Sequence, residues 1–170
     1  MRPVTIGIRR EDKPFERRVA LVPADLEAMR RVEGFEFIVE SSSQRAFGDD
    51  EYRRAGASLA PLARSAARVI VGLKEIPESV FEPGRVYLFW AHVIKGQPHN
   101  MAMLRRMLAV GATLIDYERI LDAATGRALD FSSRWAGRAG MAETLRLYGR
   151  RLAGQGFPDN PFAHLKPTYE

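Results

Sequence analysis

The chain has 170 residues, 46% of them hydrophobic and 28% charged, which fits one globular domain of ordinary size. It contains no cysteine, which excludes disulfides and thiolate metal sites and fits a reducing compartment. The net charge of +5 comes from arginines in scattered pairs such as Arg9-Arg10, Arg53-Arg54 and Arg105-Arg106. No basic stripe with interleaved aromatics forms, which argues against a nucleic-acid binder and leaves carboxylate or phosphate ligands.

No apolar run approaches the ~20 residues needed to span a bilayer. The start, MRPVTIGIRRED, turns charged too early for a signal peptide, so the expectation is a cytoplasmic protein without membrane contact.

Short β-branched runs alternate with helical patterns, which reads as α/β with a mainly parallel sheet. The first strand is Val4 to Ile8, followed by a charged loop. A helix starts at Pro23, with proline in its first turn, and Gly34 stops it. Phe35 to Glu40 is the second strand, and Asp49 to Ala55 a short helix ended by Gly56. Leu62 to Ala67 allows one helical turn. Arg68 to Leu73, Tyr87 to Ala91 and Ala112 to Tyr117 supply three more strands, with a helix over Asn100 to Val110 ended by Gly111. An extra strand is possible around Ala128 to Phe131. The spacing of Met141, Leu145, Tyr148 and Leu152 predicts a long helix over Gly140 to Ala153. The tail from Gly154 to Glu170, rich in Gly, Pro, Asp and Asn, reads as irregular.

The expected architecture is a three-layer, Rossmann-like domain with about five strands and a long C-terminal helix.

Open parallel sheets bind ligands at the carboxyl ends of their strands. Here those ends are unusually charged. The first strand leads to Lys13, Glu16 and Arg18, the third ends in Lys74-Glu75, the fourth in His92 and Lys95, and the fifth in Asp116-Tyr117-Glu118. A lone lysine or histidine after a strand is ordinarily a solvated or structural group. Several on one rim form a proton-transfer candidate, in which nearby cations favour a lysine base and nearby carboxylates oppose them. His92, His99 and His164 lack metal-ligand spacing, so no metal is expected.

IGIRREDKPFERRVALVP (6–23) resembles the N-terminal signature shared by alanine dehydrogenases, transhydrogenases and saccharopine dehydrogenases. VGLKEIP (71–77) is similar to their lysine-bearing strand end. YLFWAHVIKGQ (87–97), LIDYERILD (114–122) and WAGRAGM (135–141) resemble the lysine-ketoglutarate reductase/saccharopine dehydrogenase group in particular. The resemblance implies an enzyme that joins the ε-amine of lysine to 2-oxoglutarate through an imine, with NAD(P) as redox partner, or runs the reverse. It implies Lys74 as base and His92 as its acid/base partner. Glu75, Glu118 and Glu16 would be tuning carboxylates. Arg18, Lys95, Lys13 and Gln97 would face the substrate. The stretch 126–135 departs from the family pattern, which leaves any substrate role of Arg127 or Arg134 open.

No G-x-G-x-x-G follows a strand and opens a helix, and Gly137 and Gly140 supply only G-x-x-G. The expectation is therefore a substrate domain over 1–153, with 154–170 leading toward a nucleotide-binding domain or partner subunit outside this sequence. NAD(P) would not be held fully by this chain. The exposed apolar face of the last helix predicts self-association, as in a homodimer. Two rival readings remain: a non-catalytic binder of an amino acid or 2-oxo acid, and an alanine-dehydrogenase-like domain.

Overall fold

The structure is a computed structural model that describes residues 3–32, 34–129 and 132–166. Two compact units separate along the chain, Met1–Leu121 and Asp122–Glu170.

The first unit is built on six parallel strands: β1 (Val4–Ile8), β2 (Phe35–Val39), β3 (Ser58–Leu59), β4 (Val69–Val71), β5 (Val86–Phe89) and β6 (Thr113–Asp116). Their order across the sheet is β3-β2-β1-β4-β5-β6, with every pair parallel. The chain thus winds outward from β1 in one direction and from β4 in the other. The crevice between the carboxyl ends of β1 and β4 is the topological switch point. Register aligns the two halves, since Ile8 pairs with both Val39 and Val71, and Val71 with Leu88. The loops that leave these strands therefore open onto one rim.

Both faces of the sheet are covered, as a parallel sheet requires. Ile6, Ile8, Phe37, Val39 and Val71 pack with Leu26 of α1 (Pro23–Arg31) and Tyr52 of α2 (Asp49–Arg54). On the opposite face Ile70, Tyr87 and Phe89 pack with Phe81 and with Met103 and Met107 of α3 (Met101–Val110). Gly7 lets Leu62 and Ile70 close onto β1, because a Cβ there would lie 2.6 Å from Leu62 Cδ2 and 2.9 Å from Ile70 Cδ1.

The α/β fold with a parallel sheet and a long C-terminal helix is as expected, with differences of detail. The sheet has six strands, because the two-residue β3 carries no recognisable pattern. Leu62 to Ala67 contains turns and bends rather than a helical turn. Ala128 stands in an isolated bridge, and Asp130 and Phe131 lie outside the described residues.

The second unit holds α4 (Ser132–Gly154), which begins eight residues before the expected Gly140. Gly137 and Gly140 lie inside the helix, where a Cβ would meet nothing within 4 Å. Each costs up to ~1 kcal/mol relative to alanine, which a helix this long absorbs. The segment after α4 is non-helical but anchored. Asn160, buried, donates from Nδ2 to the Gly149 carbonyl at 3.0 Å and the Phe157 carbonyl at 2.9 Å, and its Oδ1 accepts from Phe162 N at 3.0 Å.

Candidate active site

The charged residues gather where the switch point places them. Beyond β1 the chain makes a long loop before α1, and Gln44, from the loop after β2, ties it down. Gln44 Nε2 lies 3.0 Å from the Lys13 and Glu16 carbonyls and 3.3 Å from that of Glu11. Glu11 then bridges the crevice, its two carboxylate oxygens accepting from the backbone N–H groups of Leu73 (2.8 Å) and Lys74 (3.0 Å). These donors lie past the end of β4, where the ladder has run out. Glu11 thereby fixes the main chain that presents Lys74.

Glu75 links three elements. Its Oε2 takes an ion pair from Lys13 Nζ at 2.5 Å, and its Oε1 lies 2.8 Å from His92 Nδ1. Burial pushes the Glu75 carboxyl up, but bonds from Lys13, its own backbone N–H and His92 win and lower it to about 2. Glu75 is therefore ionised at neutral pH and can only accept, so the His92 proton shared with it sits on Nδ1. In the neutral imidazole this leaves the lone pair on Nε2.

Lys74 stands beside Trp90, with Nζ 5.9 Å from the ring centroid, within cation–π range. Trp90 meets Tyr117 edge to face at 5.0 Å. Burial raises the Tyr117 hydroxyl, and the Glu11 charge adds to it. Glu16 grips Arg18 through two bonds, of 2.8 Å and 2.6 Å. That pairing lowers the Glu16 carboxyl and raises Arg18, and the Lys74 charge lowers Glu16 further.

The structure thus brings together Lys13, Glu75 and His92 by direct contact, and Glu16, Arg18 and Lys74 through charge. Lys95 is exposed on the loop after β5, and Gln97 is half-buried with its side-chain oxygen unpartnered among the described residues. Glu118 follows β6, its backbone N–H bonded to Asp116 Oδ1 at 3.0 Å. Among the described residues, none of these three side chains makes a hydrogen bond or ion pair to the Lys13–Glu75–His92 chain. Sequence reasoning missed Glu11, Gln44, Trp90 and Asn100, and it placed Tyr117 on the rim without giving it a role. Glu11, Trp90 and Tyr117 sit inside motifs that carry the family resemblance; nothing in the sequence marks Gln44.

The crevice does not fit a dinucleotide. A pyrophosphate needs a short glycine-rich turn after β1 and an open helix N-terminus. Residues 9–22 contain no glycine, and Asp25 already accepts from Val22 N at the start of α1 (3.2 Å). Among the described residues no cluster of three or more His, Asp or Glu could hold a metal ion, and no helix is long and apolar enough to cross a membrane.

A parallel, doubly wound sheet with titratable groups gathered at its switch point places this chain in the Rossmann-like α/β class. Within that class, residues 7–139 match the family described as "Alanine dehydrogenase/PNT, N-terminal domain", and this chain belongs to it. It is similar to the mitochondrial alpha-aminoadipic semialdehyde synthase of Rattus norvegicus, 37% identical over 161 residues, covering 94% of this chain and 17% of that one. It is also similar to a saccharopine dehydrogenase [NAD(+), L-lysine-forming] of Candida glabrata, 38% identical over 144 residues, covering 82% of this chain and 38% of that one. The chain spans less than half the length of these curated relatives. Transhydrogenase from Sinorhizobium meliloti shares the fold, with a TM-score of 0.60 at 21% identity over 85% of this chain and 40% of that one.

Proposed function

We propose that this chain is the substrate-binding, acid/base domain of a saccharopine-forming or saccharopine-oxidising dehydrogenase. The observation that carries the reading is the Lys13–Glu75–His92 chain beside Lys74 at the switch point. The relatives named saccharopine dehydrogenase supply saccharopine and lysine, and the family resemblance adds 2-oxoglutarate. Cytoplasmic placement fits a cysteine-free chain.

In this reading ionised Glu75 holds His92 with Nδ1 protonated, so that Nε2 exchanges a proton with the substrate's reacting oxygen or nitrogen. Lys74 takes the proton from the secondary amine when saccharopine is oxidised, and returns it in the other direction. Arg18 receives a substrate carboxylate on the edge of its guanidinium that Glu16 leaves open. Lys95 and Gln97 extend the same rim, and Glu118 tunes it. Hydride transfer belongs to NAD(P) held by a nucleotide-binding domain or partner subunit outside this sequence, because the crevice here does not suit it. Residues 1–153 form the substrate domain, and 154–170 lead toward that second part.

Calorimetric titration of the chain with saccharopine tests the reading. Arg18→Ala should lose most binding, and Lys74→Met should keep it, because the first holds substrate and the second moves a proton. Undiminished binding by Arg18→Ala would refute the assignment.

A further inference from the structure

His92 has an unusual backbone. Its φ is 49°, in the left-handed region that a residue with a Cβ enters at a cost of roughly 1–2 kcal/mol. Such strain persists only where neighbours impose it. Asn100 is the neighbour that does so. It is 5% exposed, and its Nδ2 donates to the carbonyl oxygens of Ala91 at 2.9 Å and His92 at 3.3 Å.

This is not what an asparagine at that place in a helix ordinarily does. Asn100 is the N-cap residue of α3, where asparagine is among the preferred types because its side chain accepts from the first helical N–H groups. Here the side chain makes no cap bond. It turns back across the loop and holds the two carbonyls that flank the left-handed turn. Ala91 is fully buried, so the turn is anchored on its β5 side as well. The result is a histidine whose ring reaches Glu75, seventeen residues earlier, with Nδ1 2.8 Å from Oε1.

We infer that Asn100 is the positioning residue for His92: its side-chain amide fixes the left-handed turn that delivers the imidazole to Glu75 with Nδ1 protonated and Nε2 bare. The inference rests on the proposed function only for what Nε2 does next; the geometry stands without it. Asn100 touches no substrate and acts through His92 alone.

The test is ring-nitrogen NMR of the ¹⁵N-labelled chain above pH 8, with the His92 signals assigned by their loss in His92→Gln. His99 and His164 serve as internal references. The wild type should show Nδ1 protonated. In Asn100→Ala the proton should move to Nε2, the form favoured by an imidazole free in water, while backbone amide signals of α1, α2 and β1 stay in place. A folded Asn100→Ala whose His92 keeps its proton on Nδ1 would overturn the inference. If Asn100→Ala does not fold, the wild type decides. Slowly exchanging Asn100 side-chain amide protons together with an Nδ1-protonated ring support the inference; rapid exchange or an Nε2-protonated ring overturns it. No ligand enters this experiment. A wild-type chain that fails to bind saccharopine yet keeps its Nδ1-protonated His92 would therefore sink the proposed function and leave this inference standing.

Discussion

Glu75→Gln removes the carboxylate that holds Lys13 and His92 together, and its cost can be worked from the geometry. Burial raises the Glu75 carboxyl, but the bonds from Lys13, its own backbone N–H and His92 bring it from 4.5 down to about 2. In full that difference is worth ~3 kcal/mol. Lys13 is half exposed, and solvent screening reduces the share realised to about 1–2 kcal/mol. The folded-state value lies below the unfolded one. The contribution is therefore complete above about pH 4.5 and disappears as pH falls toward 2. Urea unfolding reads this through Trp90 fluorescence in a Trp135→Phe background, which confines the signal to the first unit. At pH 7 the Glu75→Gln midpoint should lie roughly 0.5–1 M lower, taking a slope of about 2 kcal/mol per molar. At pH 3 the gap should shrink to less than half. Equal midpoints at pH 7, or a gap unchanged at pH 3, would show that the ionised Glu75 carboxylate does not stabilise the fold.

Three other substitutions have defined outcomes. Glu11→Gln leaves one acceptor for two backbone donors, so it should cost about 1–3 kcal/mol and speed amide hydrogen exchange at Leu73 or Lys74. Gly7→Ala forces a methyl against Leu62 and Ile70 and should destabilise the first unit by about 1–3 kcal/mol in the same urea assay. Gly149→Ala would place a Cβ 2.8 Å from Phe162 Cβ and 3.0 Å from Asn160 Oδ1. It should release the segment after α4, seen as faster proteolysis within 155–166 with α4 still helical by circular dichroism.

Each element was legible to the degree that residue type alone encodes it. The buried strands β1, β4 and β5 are dense in Val, Ile, Leu, Tyr and Phe, so periodicity located them to within one or two residues. The two-residue β3 has no period to read. The start of α4 was hidden because Gly137 and Gly140 each weaken a helix by up to ~1 kcal/mol, a cost that its 23 residues absorb. At the site, the places of Lys74 and His92 on the rim were legible because each comes directly after an apolar run, while the roles given to them came from the family resemblance. The partnership of Lys13 with Glu75 needed the strand order, which sets side by side two loops 62 residues apart. Glu11 and Asn100 were not recognised because their partners are backbone groups, which leave no trace in residue type.

In the proposed function this rim receives a dicarboxylic acid or amino-acid conjugate rather than a monocarboxylic 2-oxo acid. Calorimetric titration of the wild-type chain with saccharopine, 2-oxoglutarate and pyruvate addresses it most directly. Saccharopine and 2-oxoglutarate should bind more tightly than pyruvate. Tighter binding of pyruvate would contradict the proposed function and favour an alanine-dehydrogenase-like site.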